Sequence, residues 1–116
     1  MQHPTIKFAN PKHGEVYWVD FNPTIGSEQG NRRPCVIVSP NSLNGISTNR
    51  TVIVLPISNQ GGGDKLRVPV SGGKATGFAL IHQIRVIDKC RLQELIELLP
   101  SRIMGTIRIT LQQFFT

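Results

Sequence analysis

The sequence has few cysteines, few aromatic residues and few acidic residues. Two cysteines among 116 residues, Cys35 and Cys90, are too few for a small secreted scaffold held by disulfides. No apolar run approaches the roughly 20 residues of a membrane span, and the N-terminal residues lack the apolar stretch of a signal peptide. Hydrophobic residues still make up 39% of the chain, too many for a disordered tail. We therefore expect one cytoplasmic domain with no membrane partner.

Conventional catalytic and metal-binding motifs are also missing. The sequence contains no paired CxxC, no HExxH, no GxSxG and no Walker loop. A metal site needs three or four converging ligands, and two of the three histidines, His3 and His13, lie at the N-terminus. We therefore expect no metal and no cofactor. Cys35 lies in an apolar run and is predicted to be a small buried residue. Cys90 has basic neighbours, but an ordinary thiol is the favoured interpretation there.

Positive charge is what the chain has in excess. Thirteen Lys and Arg residues against seven Asp and Glu give a formal net charge of +6 and a pI of about 10.0. Such a balance favours a polyanionic partner, most simply a nucleic acid.

Hydrophobic patterning predicts a mainly β domain over residues 14–116, preceded by a flexible basic arm over 1–13. Short runs rich in Val, Ile and aromatic residues are predicted as strands: EVYWVDF (15–21), CVIVS (35–39), TVIVLPI (51–57), KLRVPV (65–70) and FALIHQIRVID (78–88). Turn signals separate them, including SPNSLNGISTN between the second and third. Pro69 places the fourth strand at a sheet edge or a bulge.

The end of the chain predicts a helix. Ile103, Ile107 and Leu111 follow a 3.6-residue period after Pro100, and Ser101 is a plausible N-cap. The preceding run LQELIELL fits either a helix or a strand. Several short strands with one terminal helix predict a small, twisted, partly closed barrel.

The densest polar cluster is GSEQGNRRP, over residues 26–34, between the first two predicted strands. Its glycines allow the backbone to approach a ligand closely, and the planar guanidinium groups of Arg32 and Arg33 suit a phosphate. Glu28 could accept a proton. A solvated loop with a surface Glu–Arg pair explains the same residues, so composition alone leaves both interpretations open.

Three blocks of the sequence resemble one family. VDFNPTIGSEQGNRRPCVIVSP looks like the opening segment of the MazF/PemK/Kid toxins, and VIVLPIS and LIHQIRVIDKCRL resemble that family's next two blocks in the same order and spacing. The resemblance extends from about Gly14 to the C-terminal helix. It implies an SH3-like barrel that forms a homodimer and cuts single-stranded messenger RNA without a metal ion. It also implies an acidic antitoxin that covers the RNA site, with operator DNA bound only through the antitoxin complex.

The resemblance assigns catalytic roles to three residues. Arg33 matches the family's catalytic arginine, and its guanidinium can stabilise the charge that develops during RNA cleavage. Ser58 stands where the family usually has threonine; it keeps the hydroxyl but loses the methyl group that restricts its rotamer. Glu28 is the favoured proton acceptor, although an ion pair that orients Arg33 is an alternative role. His82 is a second departure from the family pattern and a second candidate for the proton acceptor.

RNA recognition is expected from unstacked bases that contact aromatic and amide side chains. The candidate RNA-binding residues are Phe21, Asn22, Ser27, Gln29, Arg32, His82 and Gln83. Other basic residues could follow the RNA backbone, or simply belong to a solvated face: Lys65, Arg67, Lys74 and Arg85.

Two other functions remain compatible with the sequence. The departures at Ser58 and His82 favour a weakened or inactive member that acts as a nucleic-acid-binding or antitoxin-binding module. A gyrase poison, as in a structurally related toxin family, is disfavoured by the GSEQ…RRP block.

Overall fold

The computed structural model describes residues 10–23, 31–60 and 64–116, and strands dominate them. The strands are β1 (Glu15–Asp20), β2 (Arg32–Ile37), β3 (Thr51–Ser58), β4 (Arg67–Val70), β5 (Gly77–Leu80), β6 (Arg85–Asp88) and β7 (Leu92–Leu98). The helices are α1 (Asn41–Asn44) and α2 (Ser101–Phe114), with 3₁₀ turns at Ile81–Gln83 and Lys89–Arg91. The predicted mainly β fold with a C-terminal helix is confirmed, and LQELIELL is resolved as a strand.

The strands form one antiparallel sheet in the order β4–β5–β3–β2–β1–β7, and β6 also pairs with β3. β4 is therefore an edge strand, as Pro69 predicts, because proline cannot donate to a further strand. The Ala75 amide, between β4 and β5, donates to the Glu97 carboxylate of β7. This bond links the two ends of the strand order, consistent with a barrel-like closure.

Apolar side chains pack on both faces of the central strands, because alternate residues of a strand point to opposite sides. One cluster joins Val16, Val36 and Leu55 to Ile103 and Ile107 of α2. The second cluster, which we call the lower cluster, contains Tyr17, Val19, Cys35, Ile37, Val52, Val54 and Ile87. The polar site described below continues the face of the lower cluster.

The predicted single strand over 78–88 is wrong, because a turn divides it into β5 and β6. Ile57 of β3 pairs with Ala79 of β5, and Val54 of the same strand pairs with Arg85 of β6. Three residues of β3 therefore correspond to six residues of the other segment, and the 3₁₀ turn Ile81–Gln83 takes up the three extra residues.

Smaller corrections concern the helices. Ser101 is not the N-cap of α2: Pro100 has the extended cap conformation, its carbonyl accepts bonds from the Ile103 and Met104 amides, and no side chain caps the helix. The turn region after β2 contains the short helix α1, in which the buried Asn44 side chain bonds to Ser39. Sequence patterning missed this helix because it is only one turn long.

The described part of the N-terminal segment lies against the domain. Pro11 is buried, and the His13 amide donates to Oδ1 of Asn41 over 2.7 Å. Residues 1–9 lie outside the described residues, and the domain boundary at residue 14 stays a prediction. Within the described residues, no helix is long and apolar enough to cross a membrane.

Candidate active site

Arg33 and Ser58 lie on neighbouring strands and face the same side of the sheet. The register of β2 and β3 pairs Cys35 with Pro56. Extended by two residues, this register puts Arg33 opposite Ser58 on the same face of the sheet. Both residues line a pocket of about 310 Å³. Ser58 Oγ accepts a bond from the Gln60 amide over 3.1 Å, which fixes the hydroxyl at the pocket wall. The structure therefore brings together the two predicted catalytic residues that it describes.

A second pocket adjoins the first, and Arg33 lines both. This pocket has a volume of about 360 Å³, and its walls also carry Phe21, Gln83 and Arg85. The Arg85 guanidinium lies over the Phe21 ring, 4.5 Å from the ring centre, in a cation–π arrangement. We call the two pockets together the Arg33 cleft. Its described lining residues are Phe21, Asn31, Arg33, Pro56, Ile57, Ser58, Asn59, Gln60, Gln83 and Arg85.

The Arg33 cleft is electropositive where it borders the lower cluster. None of its described lining residues is acidic, and two of them are arginines. Burial raises the pKa of the Cys35 thiol to about 12, although the guanidinium groups of Arg85 and Arg33 both act in the opposite direction. Both cations therefore lie close enough to Cys35 to influence it. The predicted burial of Cys35 is confirmed, and its raised pKa makes the thiol a poor nucleophile.

Hydrogen bonds at the end of β1 hold the cleft's aromatic residue. The Phe21 amide donates to the Asn31 carbonyl over 2.9 Å, which continues the pairing of β1 and β2 by one step. The chain between these two residues includes three predicted site residues, Ser27, Glu28 and Gln29. These three lie outside the described residues, so their roles stay predictions.

Three other predicted site residues do not line the Arg33 cleft. Arg32 points to the opposite face of β2 from Arg33 and lies over the Trp18 ring, 4.4 Å from its centre. Asn22 is buried, and its amide donates to Oδ1 of Asp20. His82 is exposed on the turn after β5, whereas its neighbour Gln83 lines the cleft.

Sequence reasoning missed part of this site. Asn31 lies within the predicted polar cluster, where nothing in the sequence distinguishes it from its neighbours, and Pro56 lies in an apolar run that predicts only a strand. Arg85 was one of four basic residues offered for the RNA backbone, with nothing to distinguish it from the others. The signal that separates Arg85 is its position on β6 opposite Val54, which requires knowledge of the strand pairing.

The described residues form neither a metal-binding cluster nor a reactive cysteine site. Within the described ranges, no three His, Cys, Asp or Glu side chains come close enough together to bind a metal ion. The exposed Cys90 thiol forms a hydrogen bond with Asp88, which raises the pKa of Cys90 and lowers the pKa of Asp88. A raised pKa leaves little thiolate near neutral pH, so Cys90 is a poor nucleophile.

Comparison with known proteins agrees with this geometry. Residues 12–115 match the family described as PemK-like, MazF-like toxin of type II toxin-antitoxin system. The endoribonuclease toxin MazF of Escherichia coli K12 is 40% identical over 79 residues, covering 66% of this chain and 68% of that protein. The endoribonuclease EndoA of Bacillus subtilis strain 168 is 37% identical over 107 residues, covering 87% and 90%. The crystal structure of MazF from Deinococcus radiodurans superposes with a TM-score of 0.74 at 26% identity, covering 90% and 96%.

Proposed function

Because this chain belongs to the PemK-like, MazF-like family of toxins of type II toxin–antitoxin systems, we propose that it is an endoribonuclease that cuts single-stranded RNA in the Arg33 cleft. The observation that carries this function is the placement of Arg33 opposite Ser58 in a cleft without described acidic lining residues. Relatives named as endoribonucleases favour this activity over a binding module without catalysis and over a gyrase poison. Cutting messenger RNA would stop translation and growth.

The chemistry that fits these residues needs no metal ion. The RNA 2′-hydroxyl loses its proton, its oxygen attacks the adjacent phosphorus, and the bond from phosphorus to the 5′-oxygen breaks. The products are a 2′,3′-cyclic phosphate and a 5′-hydroxyl, after the leaving oxygen takes up a proton. The intermediate carries extra negative charge on the phosphate oxygens, which the fixed guanidinium of Arg33 stabilises more than it stabilises the ground state.

Ser58 and Arg33 have different tasks in this scheme. Arginine is essentially never deprotonated, so Arg33 supplies charge and donates hydrogen bonds and is a poor base. The Ser58 hydroxyl, which is on β3, donates a hydrogen bond to a phosphate oxygen of the RNA. The proton acceptor is Glu28 or His82, and we favour Glu28 because His82 is exposed and lines neither pocket. Glu28 would need a raised pKa to act near neutrality.

RNA bases and phosphates would bind along the second pocket. The Phe21 ring offers a stacking surface, and the Gln83 amide can read a base edge. Arg85 is held over the Phe21 ring and can bind the phosphate next to the one that is cut. Arg32 faces away from the cleft and Asn22 is buried, so Ser27, Gln29 and His82 are the remaining candidates for contacts at its margins.

The partners of such a toxin follow from its charge and its family. We propose that an acidic antitoxin lies over the chain around Arg32 and Arg33, where it neutralises the positive charge of the cleft. We propose that operator DNA is bound only through the antitoxin complex. We also propose that the toxin is a homodimer and is located in the cytoplasm. A small acidic reading frame directly upstream of the gene is the expected source of the antitoxin. If the co-purified antitoxin left RNA cleavage unaffected, this mode of inhibition would be wrong.

The direct test of the activity is incubation of the purified protein with a long single-stranded RNA in the presence of EDTA. Primer extension should map a small set of cut sites, and end analysis should find 2′,3′-cyclic phosphates and 5′-hydroxyls. Arg33→Ala, purified in the same way, is the control for a contaminating nuclease. An absolute requirement for magnesium, or products with 5′-phosphates, would refute the proposed chemistry.

A further inference from the structure

Arg91 binds the end of β1 from outside the strand. Its Nη1 atom donates to the Asn22 carbonyl over 2.6 Å and to the Asp20 carbonyl over 3.0 Å. These two carbonyls flank Phe21, the aromatic residue of the Arg33 cleft. Arg91 is half-buried, lies in the 3₁₀ turn Lys89–Arg91, and is not among the residues that line the pocket of Phe21.

Two further hydrogen bonds hold the chain around Phe21. The Asp20 carboxylate accepts a bond from the Asn22 amide over 2.9 Å, and both side chains are buried. The Phe21 amide donates to Asn31, as described above. Arg91 adds two hydrogen bonds to this arrangement, one to each of the carbonyls that flank Phe21. The Phe21 ring is then held in place beneath Arg85.

Hydrogen bonds also hold the turn that carries Arg91, so the backbone from which its side chain extends is fixed in position. The Asp88 carboxylate accepts a bond from the Cys90 amide over 2.9 Å and caps the turn. The buried Lys89 side chain donates to the Asn44 carbonyl over 2.9 Å and to the Ile46 carbonyl over 3.4 Å. Lys89 and Arg91, two residues apart, therefore connect the turn to different parts of the chain: Lys89 to the end of α1, and Arg91 to the end of β1 beside Phe21.

We propose that Arg91 is a positioning residue for RNA binding: by holding the carbonyls of Asp20 and Asn22, it keeps the Phe21 ring in the Arg33 cleft and sets the direction in which the chain leaves β1. Arg91 lines neither pocket of the Arg33 cleft, so this role needs no contact between Arg91 and RNA. This role rests on the proposed function for its RNA readout, but the local ordering of residues 20–22 can be measured without RNA.

The first measurement is hydrogen exchange of the free protein. Arg91→Ala removes two charge-assisted bonds, so exchange of the Phe21 and Asn22 amides should accelerate by about tenfold or more. The Val36 amide in the centre of the sheet should exchange at the wild-type rate. Arg108→Ala, an exposed arginine on α2, is the control for loss of one positive charge and should change neither region. Unchanged exchange at Phe21 and Asn22 would overturn the proposal.

The second measurement is a double-mutant cycle with an RNA whose cleavage-site 2′-hydroxyl is replaced by hydrogen. Loss of one stacking contact should weaken binding by about tenfold in Phe21→Ala, and Arg91→Ala should weaken it to a similar extent. Because Arg91 acts through Phe21, the double variant should bind no more weakly than Phe21→Ala alone. Independent, additive losses would overturn the positioning role. The single-turnover rate at saturating RNA should change far less than the affinity, because Arg33 and Ser58 remain in place.

Arg91→Lys is a second, more conservative variant that keeps the proposal testable if Arg91→Ala does not fold. Lysine keeps the charge but is a compact point donor, so it should satisfy one carbonyl and give intermediate exchange and affinity. Wild-type behaviour of Arg91→Lys together with a folded, wild-type-like Arg91→Ala would refute the proposal. A wild-type protein that neither binds nor cuts any RNA would instead refute the proposed function, and the exchange result would still decide whether Arg91 orders residues 20–22.

Discussion

The Arg85 guanidinium lies over the Phe21 ring, 4.5 Å from its centre, although Arg85 belongs to β6 and Phe21 follows the end of β1. Contact with the aromatic ring limits the positions that the guanidinium can take. The side chain therefore loses less conformational entropy when it binds a phosphate. The pair also presents one aromatic face and one cation to the same pocket as Arg33. Single-stranded RNA offers the matching chemistry, with bases that stack and phosphates that pair.

Replacement of Arg85 should weaken RNA binding more than replacement of an ordinary surface cation. Arg85→Ala should lower the affinity for uncleavable RNA by about tenfold and reduce the slope of log affinity against log salt by about one. Arg85→Lys should retain the salt slope but lose affinity, because lysine lacks the planar group. Lys74→Ala, an exposed residue away from the cleft, is the control. Fluorescence anisotropy at several salt concentrations measures both quantities, and equal effects of Arg85→Ala and Lys74→Ala would contradict a special role for the stacked arginine.

Removal of Arg33 should separate chemistry from binding. Arg33→Ala should slow cleavage by about 10²–10³-fold, because one preorganised donor to a developing oxyanion is worth about 3–4 kcal/mol. Binding of uncleavable RNA should fall only modestly, since Arg85 and other cations share the ground-state contacts. Arg33→Lys should not restore cleavage. Single-turnover rates beside binding affinities decide the matter, and a fully active Arg33→Ala protein would remove the basis for this type of ribonuclease.

Ser58 should act through its hydroxyl. Ser58→Ala should slow cleavage strongly with little effect on RNA affinity, whereas Ser58→Thr should keep or raise the rate because the added methyl group restricts the rotamer. Both variants are compared with wild type in single-turnover cleavage and in thermal unfolding. Full activity of a folded Ser58→Ala protein would make Ser58 a turn residue and leave Arg33 without its partner.

Sequence patterning predicted the parts of this molecule that depend on short-range order. Short runs rich in Val, Ile and aromatic residues predict most of the strands, and Pro69 indicates the edge strand because its missing donor is a local property. The division of residues 78–88 could not be predicted in the same way. It depends on a three-residue difference in how β5 and β6 register with β3, and register is set by pairing between distant segments.

Dependence on pairing between distant segments also explains why only some of the site residues can be predicted from the sequence. Arg33 and Ser58 belong to blocks that resemble a known family, and the strand pairing places them together. Arg32 looks equivalent to Arg33 in the sequence, but β2 begins at Arg32, so the two side chains point to opposite faces. Placing the start of this strand at Cys35 left both arginines in a loop and hid that difference. Arg85 and Arg91 act on Phe21 only through tertiary contacts.

Gly77 should be required for the geometry at Ser58. It has φ of +129°, and a β-carbon there would collide with the Ser58 carbonyl. Gly72 has φ of +92° but open space around the same position, so it is a matched control for backbone strain alone. Gly72→Ala should lower the free energy of unfolding by about 1–2 kcal/mol, and Gly77→Ala should lower it further. Denaturant unfolding and cleavage assays at a temperature where both variants are folded measure the two effects. Cleavage should fall only in Gly77→Ala, and equal behaviour of the two variants would contradict the steric account.

The proton acceptor should be revealed by how cleavage depends on pH. A carboxylate that must be deprotonated to accept the 2′-hydroxyl proton makes the rate rise with pH until the group is ionised. Glu28→Gln removes that group, so the single-turnover rate should fall by about 10²–10⁴-fold and the rising limb should disappear. His82→Asn is the matched control for the other candidate, and it should keep the wild-type profile because His82 lies outside both pockets of the Arg33 cleft. Loss of the rising limb in His82→Asn, with a normal profile in Glu28→Gln, would assign the proton transfer to the histidine instead.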